Sequence, residues 1–245
     1  MHKARFFVNQ ELRCGLKICL VDDVVQHFFA FRILLKDTVI LFNGDGNNYY
    51  CSVDNLDRKL VELEVLSMVF NDTELKTKIS LFMSIIQRDN FELAVRKAVE
   101  LGVYDITPVI TAFSQKLNKY KIHDRICRWQ KIAVSAAEQS GRSLIVKVHN
   151  PIEIEAMILK YTEINKNHDC LNLFCNVGSG VNLLRMDLDT SHSINLAIGP
   201  EGGFSALELD LFNQSQWEPV SLGHTVLRAE TAAIVAVGGL SLKLQ

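Results

Sequence analysis

The chain has 245 residues, 48% of them hydrophobic and 22% charged, with 4 Pro and 13 Gly. That balance excludes a disordered, collagen-like or low-complexity chain and allows one large core or two modest ones. The formal net charge of −2 singles out no partner, but its distribution is uneven. Residues 1–75 carry 8 Lys and Arg against 11 Asp and Glu, residues 76–147 carry 13 against 6, and residues 148–245 carry 5 against 11. A basic segment between two acidic ones would draw a polyanion, although lysines on a solvated helical face give the same count.

No membrane segment or leader is expected. The apolar stretch from Ala232 to Leu242 is about half of the ~20 residues a span needs, and glycines interrupt it. The N-terminal MHKARFFVNQELR has no apolar core of a signal peptide. The 6 cysteines include no CxxC pair. They read as reduced thiols of a cytoplasmic protein.

The first 70 residues read as strands. Val39–Phe42 leads through the turn cluster Asn43-Gly44-Asp45-Gly46-Asn47 into Tyr49–Val53, a hairpin signature. Leu60–Leu66 alternates apolar and acidic residues with the period of a half-buried strand. A small β-barrel or sandwich would result, and Asn71–Glu74 is a candidate linker. Strands and helices then alternate. Ile79–Ile86 and Asp105–Val109 read as strands. Phe91–Leu101, ended by Gly102, and Lys121–Gln139 read as helices. Lys121, Arg125, Arg128 and Lys131 would form one basic stripe. Leu171–Cys175, Ile194–Ile198 and Pro219–Leu222 read as three late strands. Ser205-Ala206-Leu207-Glu208 is a capping box, and Ala229–Leu244 is a last helix. This alternation predicts an α/β domain on a mostly parallel sheet. The expected division is residues 1–72 and 75–245.

Glycines follow each late strand: Gly178 and Gly180, then Gly199, Gly202 and Gly203, then Gly223. In open α/β sheets ligands bind beyond the carboxyl ends of the strands, where glycine lets backbone amides come close. Tight turning alone would also explain any one of these loops. Neither GxxxxGK[ST] nor GxGxxG occurs, and Glu201 would repel a pyrophosphate, so a ligand with positive charge and an adenosine suits the loops better. No metal is expected. The tightest Cys/His cluster, His168-x-Cys170-x4-Cys175, lies on a predicted strand with no zinc-finger spacing.

Three segments together carry a resemblance. They are Trp129-Gln130-Lys131-Ile132-Ala133 with Ala136-Ala137-Glu138-Gln139-Ser140-Gly141-Arg142, then Ile198-Gly199-Pro200-Glu201-Gly202-Gly203-Phe204-Ser205, then Leu222-Gly223-His224-Thr225-Val226-Leu227-Arg228-Ala229-Glu230-Thr231-Ala232. With Arg5, His27, Arg32, Asp37, Phe42-Asn43-Gly44 and Lys97–Val103, the chain resembles the RsmE family, the 16S ribosomal RNA uracil-N3 methyltransferases, over nearly its whole length. The resemblance implies an N-terminal PUA-like β-barrel and a C-terminal SPOUT α/β domain with a deep trefoil knot. It also implies S-adenosyl-L-methionine as cofactor, a homodimer, and 16S rRNA of the small ribosomal subunit as substrate. The expected cofactor residues are Leu173, Phe174 and Cys175; Ile198, Gly199, Pro200, Glu201, Gly202 and Gly203; and Leu222, Gly223, Val226, Leu227, Arg228, Thr231 and Ala232. The chain departs from the family at Ala112-Phe113, where Glu-Arg is usual. It departs also at Gln87-Arg88 (Lys-Gly), at Lys36 (Gly) and at Val146 (Pro).

A sulfonium methyl donor needs no metal and no covalent intermediate, so the protein must position the uracil and manage the N3 proton. Arg228 and then Arg142 are the expected stabilising charges, and Glu230 and Glu201 the expected bases or sulfonium contacts. Each has a plain structural alternative, as ion-pair partners or as a helix-end charge. Arg5, Arg32, Arg88, Lys121, Arg125, Arg128 and Arg142 are the expected RNA contacts. Two other readings are a SPOUT methyltransferase acting on another RNA and a non-catalytic RNA-binding ribosome assembly factor.

Overall fold

The computed structural model describes residues 3–21, 23–165, 170–178, 180–188 and 193–245. The chain divides into two compact units, one of residues 1–74 and 137–145, the other of residues 75–136 and 146–245. The sequence marks only the break near residue 74. No shift in composition announces that residues 137–145 belong to the first unit, and residues 137–140 are the end of a helix that begins at Ile122 in the second.

The first unit holds a five-stranded sheet: β1 (Arg5–Phe7), β2 (Lys17–Leu20), β3 (Thr38–Phe42), β4 (Asn47–Leu56) and β5 (Val61–Phe70). The order is β1-β3-β4-β5-β2, with β1 and β2 at its edges. The β3–β4 hairpin pairs Leu41 with Tyr49, and register shifts after Tyr50 and Val53 bend β4. The sequence reading missed α1 (Asp23–Ala30). Its Val and Phe content favours a strand by local preference, but Val25 and Phe28, three apart, bury together. The Phe28 ring stacks on Phe6 at 4.2 Å, so tertiary packing overrides propensity. Lys36 occupies a left-handed backbone conformation, φ 66°, at the position where the resemblance leads one to expect glycine.

The second unit is built on β6 (Lys78–Ser84), β7 (Asp105–Ile110), the short β8 (Lys147–Val148), β9 (Ile152–Glu153), β10 (Cys170–Cys175), β11 (Val181–Asn182), β12 (Ser193–Ile198) and β13 (Trp217–Ser221). The order is β11-β13-β10-β12-β6-β7-β8, with β9 paired to β7, and every pairing is parallel. Strand β12 therefore lies between two strands that precede it in the chain. Helices α2 (Arg88–Glu100), α3 (Ile122–Ser140), α4 (Ile154–Asn165), α5 (Ala206–Asn213) and α6 (Ala229–Lys243) accompany the strands. A core of Phe82, Met157, Ile158, Phe174, Phe212 and Trp217 seals the sheet against α4 and α5. Phe174 stacks on Phe212 at 4.3 Å.

Candidate active site

Strands β10, β12 and β13 run parallel and nearly in register, with Phe174 beside Ala197 and Cys175 beside Val220. Their carboxyl ends reach one level, so the three following loops meet there. Between them lies a cleft of about 630 Å³, open water at its mouth included. The first loop contributes Cys175, Asn176 and Val177, and the second Ile198, Gly199, Pro200, Gly203 and Phe204. The third contributes Val220 to Gly223, Thr225 and Leu227, and α6 adds Ala229 and Ala232.

Glycine at two positions explains how closely the loops approach. A Cβ on Gly180, φ 89°, would stand 2.0 Å from the carbonyl oxygen of Pro219, so the backbone of the first loop lies directly on β13. A Cβ on Gly202 would stand 3.2 Å from Cβ of Phe113, which brings the loop after β7 against the loop after β12. That junction is hydrogen-bonded as well. The Ser205 hydroxyl accepts from the Glu208 N–H at 3.3 Å, and Glu208 Oε2 accepts from the Ser205 N–H at 2.6 Å, completing the expected capping box. Glu208 Oε1 also accepts from the Ala112 N–H at 2.7 Å. A buried carboxylate thus fastens two loops at the lip of the sheet.

A family model described as an RNA methyltransferase domain matches residues 73–241. The chain is 30% identical to ribosomal RNA small subunit methyltransferase E of Rickettsia conorii, covering 97% of this chain and 95% of the relative. Its counterpart in Mesomycoplasma hyopneumoniae is also 30% identical, over 94% and 95% of the two chains. The chain belongs to the small-subunit ribosomal RNA methyltransferase E family. A crystal structure of such an enzyme from Neisseria gonorrhoeae bound to S-adenosyl methionine is 28% identical, with a TM-score of 0.90 over 99% of this chain and 98% of that one. The SPOUT-type α/β architecture expected from the resemblance is thus the architecture found.

Of the residues expected at the cofactor, Cys175, Ile198, Gly199, Pro200, Gly203, Leu222, Gly223, Leu227 and Ala232 line the cleft. Leu173 and Phe174 do not, because they precede the loop and their side chains are fully in the core. Glu201, Gly202, Val226, Arg228 and Thr231 are exposed at the surface near it rather than on its wall. Sequence reasoning missed Asn176, Val177, Phe204, Val220, Ser221, Thr225 and Ala229. The glycines marked the loops, but which neighbouring side chains turn inward depends on backbone direction. Burial pushes the Cys175 thiol up to about 12, so the cleft wall is uncharged.

Arg228 stands at the N-cap of α6, exposed, and among the described residues it makes no ion pair. Neither Glu230 nor Glu201 pairs with it. Glu230, in the first turn of α6, is buried, and its Oε2 has no hydrogen-bond partner among the described residues. It does not line the cleft. Arg142 lies in the first unit, buried and paired to Glu74.

The expected RNA contacts also separate. Arg5 donates to Asn48 Oδ1 at 2.8 Å and to Ser143 Oγ and the Arg142 carbonyl at 3.0 Å, so it ties the first unit together. Arg88 and Arg128 both bind Glu92, Arg128 in a two-point contact at 2.5 and 2.8 Å. Those bonds hold the Glu92 carboxyl below its ordinary range. Arg32 and Lys121 are exposed and Arg125 is partly so. Among the described residues none of these three has an ion-pair partner. No group of three or more His, Cys, Asp or Glu suited to a metal ion occurs among the described residues, and His168 lies outside them. Among the described residues no helix is long and apolar enough to cross a membrane.

Proposed function

We propose that this chain methylates N3 of a uridine in 16S rRNA of the small ribosomal subunit, with S-adenosyl-L-methionine as donor. The observation that carries the reading is the uncharged cleft of three loops at the carboxyl ends of β10, β12 and β13. The residues present fit a sulfonium compound. No cation lines the cleft, and the absence of side chains at Gly199, Gly203 and Gly223 would let an adenosine approach the loop backbone closely. Ile198, Gly199, Leu222, Gly223, Leu227 and Ala232 would hold it. When bound, the donor supplies a methyl carbon already activated by its positive sulfur.

The chain's own residues then hold the uracil, exclude water and deal with the N3 proton. Arg228 is the cation available to stabilise the anion left at N3. Glu201, exposed in the second loop, is the more accessible candidate for accepting the proton, because Glu230 is buried. Arg32, Lys121 and Arg125 are free for phosphate contacts. We read the protein as a cytoplasmic homodimer, in keeping with its free cysteines.

The test is transfer of labelled methyl to small ribosomal subunits that lack the modification, followed by mass spectrometry of the nucleosides. N3-methyluridine is the expected product. A methylated ribose or another base would replace the substrate assignment. Cofactor binding with no transfer to any RNA would overturn the catalytic reading.

A further inference from the structure

The segment between β7 and α3 takes no part in the cleft, yet it is built with unusual care for a surface loop. Thr111 N–H donates to Ser114 Oγ at 2.9 Å, and the Ser114 N–H donates back to the Thr111 carbonyl at 3.1 Å. The Ala112 N–H is held by Glu208 and the Gln115 N–H by the Ile85 carbonyl, at 2.7 and 2.8 Å. Four bonds to α5, to the end of β6 and within the turn fix the backbone on both sides of Phe113. One edge of the Phe113 side chain rests on Gly202 of the second cleft loop, where an added Cβ would stand a tight 3.2 Å from the Phe113 Cβ. The rest of the ring is open, and the residue is 55% exposed.

A phenylalanine held this rigidly and left half in water gains little from burial. Its surroundings give the exposed face a use. It sits at the carboxyl ends of the strands, beside the loop that walls the cleft. Lys116 and Lys121 are exposed further along the same segment, and Tyr120 is 97% exposed. Aromatic faces interleaved with lysines are the surface that unstacked nucleic-acid bases prefer, because every base offers a π face and every nucleotide a phosphate. A fixed ring also loses little freedom on binding.

We propose that Phe113 is a stacking platform that receives an unpaired base of the RNA substrate at the mouth of the cofactor cleft. The inference rests on the function proposed above and adds to it a residue that selects for single-stranded, splayed-out bases.

The test uses the full chain, 16S rRNA transcript and S-adenosylmethionine as separate ligands. Phe113→Ala and Phe113→Leu should each weaken RNA binding about tenfold, as loss of one stacked base does. Phe113→Tyr and Phe113→Trp should keep it, and calorimetry should show unchanged cofactor affinity in all four. Trp129 and Trp217 are both 3% exposed, so RNA should quench chiefly the emission added by Phe113→Trp. The proposal is overturned if Phe113→Leu binds RNA as tightly as the unaltered chain, or if RNA leaves that added emission unchanged. It is overturned also if cofactor affinity falls in step with RNA affinity, since Phe113 would then only prop the Gly202 loop. Quenching and tight binding without any methyl transfer would sink the proposed reaction and leave the stacking platform standing.

Discussion

Arg142 closes on Glu74 inside the first unit: its Nε donates to Oε1 at 3.0 Å, and a second guanidinium nitrogen donates to Oε2. Only 6% of the arginine side chain and 20% of the glutamate side chain are exposed. Removing one partner of such a pair strands the other charge. Arg142→Ala should therefore cost about 3–5 kcal/mol, read as a lower urea midpoint.

Arg142 is buried in that pair, whereas Arg32 and Arg125 have no ion-pair partner among the described residues. Arg32→Ala and Arg125→Ala should each reduce the slope of log RNA affinity against log salt by about one, at unchanged stability. Arg142→Gln should leave that slope as it is. A slope that falls for Arg142→Gln and stays for the other two would reverse the assignment.

Glu138 supports the first unit in a pH-dependent way. Its Oε1 accepts the Phe7 N–H at 2.9 Å, while burial raises its pKa. A carboxyl whose folded pKa exceeds its unfolded value stabilises the fold below the unfolded value, and that contribution is lost as pH rises through the folded one. Glu138→Gln keeps an acceptor for Phe7 without the charge. Its thermal midpoint should exceed that of the unaltered chain at pH 8, and the two should converge near pH 4.

Gly180→Ala places a methyl group where the Pro219 carbonyl stands. The first loop must then leave β13, and cofactor affinity measured by calorimetry should fall at least tenfold, or about 1.4 kcal/mol. Gly178→Ala meets no atom within 4 Å, so it should cost only the ~1–2 kcal/mol of a positive φ.

Arg228→Ala should slow methyl transfer by about 10²–10³, the loss seen when one charge-stabilising donor is removed. Cofactor affinity should stay close to normal, because Arg228 is outside the cleft wall. Single-turnover rates with saturating cofactor and small subunits measure this directly. A rate near normal would remove Arg228 from the mechanism.

Much of the fold was legible from local pattern. The hairpin at Asn43–Gly46, the Ser205–Glu208 capping box and the late strands all follow from short-range rules of period and turn chemistry. So did the position of the cleft, because glycines after parallel strands mark where a backbone-lined site can form. The α1 helix escaped because its helical state depends on Phe6, a residue distant in the chain.

The sequence alone determined the alternation of elements, the three glycine loops and the family signature, since each is written within a few neighbouring residues. Only the tertiary structure decided which charges are free. Arg142, Arg128 and Arg228 look alike as letters, yet the first two pair with carboxylates 68 and 36 residues away, and Arg228 has no ion-pair partner among the described residues. The order of β12 between β10 and β6 chose which loops meet, and the approach of Gly202 to Phe113 set which ring stands beside the second of them. Pairing of distant groups is set by burial and packing, which no local stretch of chain encodes by itself.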